Sequence, residues 1–119
     1  MNEKIVYNPA GEEYNIPSLT EIEDILNTIE KLKKTSNSKE CRRLMKNNLE
    51  LYEKKMIDEF NEFSEKYYGI FYKIIKHEDI SPVFDMLDKL IEINKGSMTI
   101  QKAEEQIGIS MSDKYTKKL

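Results

Sequence analysis

The sequence predicts an all-α fold: a helical bundle around one long central helix, with short C-terminal helices and an extended N-terminal arm. Three observations carry this expectation. Between Ser38 and Tyr68, Cys41, Met45, Leu49, Tyr52, Met56, Phe60, Phe63 and Tyr67 recur three or four residues apart, with no Gly or Pro among them. That spacing draws one apolar stripe along one side of an α-helix, on the order of 45 Å long at 1.5 Å per residue. The segments on either side carry repeated helix start and stop signals, and alternating β-formers are confined to the first 17 residues.

Taken in order, residues 1 to 17 do not read as helix. Ile5, Val6 and Tyr7 favour extended backbone, Asn8-Pro9-Ala10-Gly11 suits a type I turn, and Tyr14 and Ile16 follow with alternate spacing. An extended arm is favoured over a small hairpin, because an isolated two-stranded hairpin is marginally stable in water. Residues 18 to 119 are expected to form a single helical domain. Ser18 with Glu21 three residues on is a capping box that opens the first helix. Leu19, Ile22, Ile25, Leu26, Ile29 and Leu32 share its inner face. Glu21, Glu23 and Asp24 lie in its first turns and Lys31, Lys33 and Lys34 in its last, both suited to the helix dipole. The short polar link Thr35 to Ser38 predicts that this helix folds back along the N-terminal half of the long one.

The long helix is expected to end at Tyr68-Gly69, where Gly can adopt the left-handed conformation. Ile70, Phe71, Tyr72, Ile74 and Ile75 then predict a short buried helix. Ser81-Pro82 supplies an N-cap and an N1 proline for another helix, whose inner face is Val83, Phe84, Leu87, Leu90 and Ile91 and whose stop is Gly96. Thr99 caps a further helix, Ile100 to Ile107, ended by Gly108. Ser110 with Asp113 can cap a last turn or two.

Composition narrows the function classes. Charged residues make up 34% of the 119 and the formal net charge is −3, so the chain lacks the overall basic field of a nucleic-acid binder. The lone Cys41 allows no intrachain disulfide, and no stretch reads as a signal peptide or a membrane span. Asn2 excludes myristoylation at a penultimate Gly. The expected location is intracellular (cytoplasmic) or within a virion.

No catalytic, metal or cofactor site is expected. His77 is the only histidine and lies in a polar turn, while Cys41 stands in register with Met45 and Leu49 as a small buried residue. The carboxylate pairs Glu12-Glu13, Glu78-Asp79 and Glu104-Glu105 lack the apolar surroundings that raise a catalytic carboxyl group. The four glycines stand singly, so no phosphate-cradling loop exists. Lys39, Arg42, Arg43, Lys46, Lys54 and Lys55 are interleaved with Glu40, Glu50 and Glu53, which predicts a salt-bridged outer face.

Thr99 to Ser110 is similar to the first helix and turn of helix-turn-helix DNA-binding domains, although Ala103 lies five residues before Gly108 where those domains place the small residue four before. On that alternative, Lys114, Lys117 and Lys118 would contact phosphates in a small nucleic-acid-associated regulator.

Phe63 to Phe71, Val83-Phe84-Asp85-Met86-Leu87, Lys95-Gly96, Ala103, Gly108 and Lys114-Tyr115 form a pattern of core residues over residues 60 to 115. It resembles small helical proteins encoded by large DNA viruses of algae and amoebae. The resemblance implies a viral origin and a virion-associated or assembly role, and assigns no active residue.

The leading expectation is a non-enzymatic protein-protein interaction or scaffolding protein, with a protein partner or self-association covering what the monomer leaves open. Ile5, Val6 and Tyr7 of the arm and Tyr52, Met56 and Phe60 of the overlong stripe are the expected interface.

Overall fold

The structure is a computed structural model that describes residues 3–7 and 13–107. Two strands, β1 (Glu3–Tyr7) and β2 (Glu13–Pro17), precede α1 (Leu19–Ser36), α2 (Lys39–Asn47), α3 (Leu49–Glu59), α4 (Asn61–Lys66), α5 (Tyr68–Ile75), α6 (Ser81–Asn94) and α7 (Ile100–Ile107). The fold is all-α apart from the two strands, as the sequence predicts, and elongated, 52 × 27 × 21 Å.

The N-terminal segment is not a free arm. β1 and β2 pair antiparallel in the register Glu3 with Pro17 through Tyr7 with Glu13. What makes a hairpin tenable here is its anchor: β2 packs against α1, and Ile16 and Pro17 are buried. Burying an isoleucine contributes roughly 2 kcal/mol, an increment that a hairpin alone in water lacks.

α1 begins where the sequence places it. Ser18 Oγ accepts the Glu21 N–H at 3.3 Å, and Ile22, Ile25, Ile29 and Leu32 are buried while Leu19 is exposed. Its principal neighbours are α5 and α6 rather than α2. Glu21 in its first turn meets Tyr67 just before α5, and Ser36 at its end shares a cleft with Ile74 in the last turn of α5. The two helices therefore run side by side in the same direction. α6 returns between the same two ends, because Ser81 and Phe84 line that cleft and Asn94 Nδ2 donates to Pro17 O at 2.9 Å beside the start of α1. The isoleucine stripe of α1 seeks the most apolar surface available. That surface is Ile70, Phe71, Ile74 and Ile75, whereas α2 contributes only Cys41 to the core.

The single long helix is broken three times, at Asn48, Phe60 and Tyr67. At Asn48 (φ −155°, ψ 85°) the chain doubles back, bringing Cys41 Sγ within 4.0 Å of Met56 Sδ and Lys55 Nζ within 3.5 Å of Glu40. In one unbroken helix residues 41 and 56 would stand about 22 Å apart. The turn keeps its backbone satisfied: the Asn48 N–H donates to Leu44 O at 2.7 Å and its side chain accepts the Leu51 N–H at 3.2 Å. Asn48 thus closes one helix and caps the next. Phe60 and Tyr67 likewise keep N–H bonds to Met56 O and Phe63 O. Gly69, expected as the stop, lies inside α5. The stripe is covered by folding the helix onto itself and onto α5, which a 45 Å rod could not achieve within one chain.

Three local starts need small corrections or none. α6 begins at Ser81, one residue earlier than expected, and Asp79 Oδ1 accepts both the Ser81 N–H at 3.0 Å and its hydroxyl at 2.7 Å. The inner face of α6 includes Met86 and Ile93, with Phe84 and Ile91 half-buried. Gly96 takes a positive φ of 77° beyond the helix end, where a side chain would be strained. Thr99 Oγ1 accepts the Lys102 N–H at 3.1 Å, which caps α7 against α6 with Ile100 and Ala103 buried.

Candidate functional site

The expected interface residues divide. Ile5 and Tyr7 are exposed, and as alternate residues of β1 they point to one side of the hairpin. The side chain of Val6 lies outside the described residues. Tyr52 and Met56 are 1% and 0% exposed, so the structure removes them from any partner surface: the fold-back at Asn48 consumes both inside the chain. Phe60 is half-buried at the α3–α4 break. Lys114, Lys117 and Lys118 lie outside the described residues, as does everything beyond Ile107 in the segment similar to a helix-turn-helix.

Cys41 is buried against Met56, and His77 is exposed at the end of α5 with a left-handed φ of 59°. Among the described residues, no group of three potential ligands could hold a metal ion. No described helix is long and apolar enough to cross a membrane.

Three polar arrangements organise the interior and its margins. The first joins the starts of α1 and α5. Glu21 is buried, its Oε1 accepts the Tyr67 hydroxyl, and Lys66 Nζ reaches the same oxygen at 2.6 Å. The lysine also stands 5.6 Å from the centre of the Tyr67 ring. A cavity of about 100 Å³ beside it is lined by Asp24, Ile25, Thr28 and Phe63 together with these three. Sequence reading assigned Glu21 to the capping box. Its amide does serve the cap, but its carboxylate is drawn into a contact 46 residues away, for which no local signal exists.

The second arrangement is Tyr52. Its hydroxyl donates to Ile75 O at 2.6 Å, and its pKa is pushed up to about 12, chiefly by burial, with Cys41 and Glu53 adding to the shift. The third is the turn between α5 and α6, where a cleft of about 320 Å³ is lined by Lys33, Ser36, Asn37, His77, Glu78 and Asp79 over a floor of Ile74, Ile80 and Phe84. The Ser81 backbone N–H and hydroxyl, with Lys73 nearby, hold the Asp79 carboxyl below its usual pKa. Charges of both signs face this cleft, and its best-placed carboxylate is already engaged as a helix cap.

The basic face expected to be salt-bridged is mostly unpaired. Among the described residues, Lys55–Glu40 is the only ion pair there. Arg42 reaches Asn37 Oδ1 at 3.4 Å, and Arg43 and Lys46 are exposed. The fold-back explains this. It turns the interleaved charges onto two helices and a tip, where the spacing along one helix no longer brings them together. At that tip Leu49 and Leu51 are 55% and 48% exposed.

Compared with models of protein families, with curated proteins and with solved structures, the chain matches none.

Proposed function

We propose that this chain is a non-enzymatic protein-protein interaction or scaffolding protein. The observation that carries the reading is the hairpin. β1 offers Ile5 and Tyr7 to solvent, its only sheet neighbour among the described residues is β2, and it is β2 that packs on α1. An exposed strand edge with apolar side chains beside it is a template for pairing with another chain. The ionisable side chains with unusual surroundings also have structural duties: Glu21 and Tyr67 join two helix starts, Tyr52 caps α5, and Asp79 caps α6.

The resemblance of residues 60 to 115 to helical proteins of large DNA viruses leads us to propose a structural or virion-associated role, in the cytoplasm or the virion. The competing reading is a small nucleic-acid-associated regulator using residues 99 to 118. It is favoured by the packing of α7, where the Thr99 cap and buried Ala103 suit the first helix of such a motif.

The test replaces Tyr7 with a photoreactive residue in the intact chain and compares cross-linked species with those of an Ile5→Lys/Tyr7→Lys variant by mass. Capture of a defined protein partner or second copy, lost in the variant while helicity is kept, is the expected result. Retention on DNA or RNA that falls steeply with salt, without protein capture, would favour the regulator instead.

A further inference from the structure

The molecule is electrically polar along its length. Residues 39 to 55 carry six basic side chains against three carboxylates, whereas the whole chain is net −3. The fold-back at Asn48 gathers that excess at the tip of the α2–α3 pair. This tip lies at the end of the molecule marked by the C-termini of α1 and α5, since Tyr52, one turn from it, bonds Ile75 O. Arg43, Lys46, Leu49 and Leu51 are all exposed there.

The opposite end, around the starts of α1 and α5, is acidic. Glu23, Asp24, Glu62 and Glu65 are exposed and carry no ion pair among the described residues, because the one lysine engaged there, Lys66, is held by buried Glu21. Exposed apolar side chains accompany these acids too, Leu19 at the start of α1 and Tyr68 at the start of α5. Each end thus combines unpaired charge of one sign with exposed apolar surface, and the two signs are opposite.

Resting on the interaction reading above, we propose that the partner of the α2–α3 tip is the acidic end of a second copy of this chain, joined head to tail. The exposed leucines argue against a purely phosphate-directed surface, which would have no use for them. Charge complementarity favours a copy of the chain because both halves of the match are present on one molecule. A contact between two different patches does not close on itself, so it builds open chains unless its rotation happens to form a ring. An elongated body with unlike ends is the shape such an assembly needs, and the association is governed by charge and therefore by salt.

The experiment follows mass by light scattering and sedimentation over a wide protein concentration range, at about 0.02 M and about 0.5 M salt, between which the screening length shortens from roughly 20 Å to roughly 4 Å. The expected result is growth of mass with concentration at low salt and reversion towards monomer at high salt. Arg43→Glu/Lys46→Glu and Glu62→Lys/Glu65→Lys should each weaken association at least tenfold with helicity unchanged, and mixing the two variants should restore it. A wild type that stays monomeric at low salt, or association untouched by Arg43→Glu/Lys46→Glu, overturns the proposal. In the latter case, loss of association in Ile5→Lys/Tyr7→Lys would leave the hairpin reading standing. Monomeric protein that binds phosphatidylserine vesicles, with binding lost in Arg43→Glu/Lys46→Glu, would assign the tip to a lipid surface and overturn the second-copy assignment.

Discussion

The Tyr52 hydroxyl donates to the Ile75 carbonyl at 2.6 Å, and through this bond the fold-back helix α3 closes the end of α5. The last carbonyls of a helix have no partner within it, so a buried one needs a donor from elsewhere. Tyr52→Phe removes that donor and leaves the carbonyl facing an apolar ring. We expect a loss of about 1–2 kcal/mol, read by urea unfolding. The same bond has a pH signature. The folded-state pKa of Tyr52 is raised to about 12 from an ordinary 10, so its contribution is fully present below pH 10 and is lost as pH rises towards 12. Wild type should lose stability more steeply than Tyr52→Phe across that interval, and parallel profiles would refute the assignment.

Glu21 offers a test of the polar link between the starts of α1 and α5. Its carboxylate is 5% exposed and shared by the Tyr67 hydroxyl and Lys66. Removing a partner from a buried charge costs more than the pair contributes, although Lys66 is itself half in solvent and its share is screened. Lys66→Met is therefore expected to cost about 1 kcal/mol. Glu21→Ala, which strands the Tyr67 hydroxyl and also opens space, should cost about 2–3 kcal/mol. A double-mutant cycle of Glu21→Gln with Tyr67→Phe should give a coupling of about 1 kcal/mol, and additivity would mean that the two side chains do not act together.

The fold-back at Asn48 can be tested by distance. With Cys41→Ala as background, Glu40→Cys and Lys55→Cys place two accessible thiols on α2 and α3 at the site of the Lys55–Glu40 ion pair. A short bis-maleimide should join them within one molecule in high yield. Thiols on an unbroken helix would lie about 22 Å apart and beyond its reach. Asn48→Ala removes the side-chain cap on the Leu51 N–H and is expected to cost about 1 kcal/mol.

How much of this was legible in the sequence follows from the range of each signal. Ser18, Thr99 and Gly96 act on backbone groups a few residues away, so α1, α7 and the end of α6 stand where expected. The stripe from Cys41 to Tyr67 was read correctly as inward-facing at Cys41, Tyr52, Met56, Phe63 and Tyr67, yet wrongly as one straight helix. Periodicity records which residues are buried and is silent about a single residue of extended backbone that leaves the count intact. Asn48 breaks the helix without Gly or Pro because burying Cys41 against Met56 outweighs one lost helical turn. Leu49, in phase with the stripe but just past the turn, is the residue that the break leaves outside. The expected interface failed at Tyr52 and Met56 for the same reason. The charged tip appeared only once the chain had been folded back.

His77 supplies the last prediction. It takes a left-handed φ of 59° where α5 ends, and its N–H donates to Ile74 O at 3.0 Å, an arrangement that glycine normally provides. A side chain there costs roughly 1 kcal/mol of steric strain, while glycine would add entropy to the unfolded chain. His77→Gly is therefore expected to be neutral or stabilising by up to about 1 kcal/mol, whereas His77→Val, β-branched and unsuited to positive φ, should destabilise by more than 1 kcal/mol. Thermal unfolding of the pair measures both signs. A strongly destabilised glycine variant would mean that the imidazole makes a contact that outweighs its backbone strain, and would recast the neighbouring cleft between α1 and α6 as a site built around that ring.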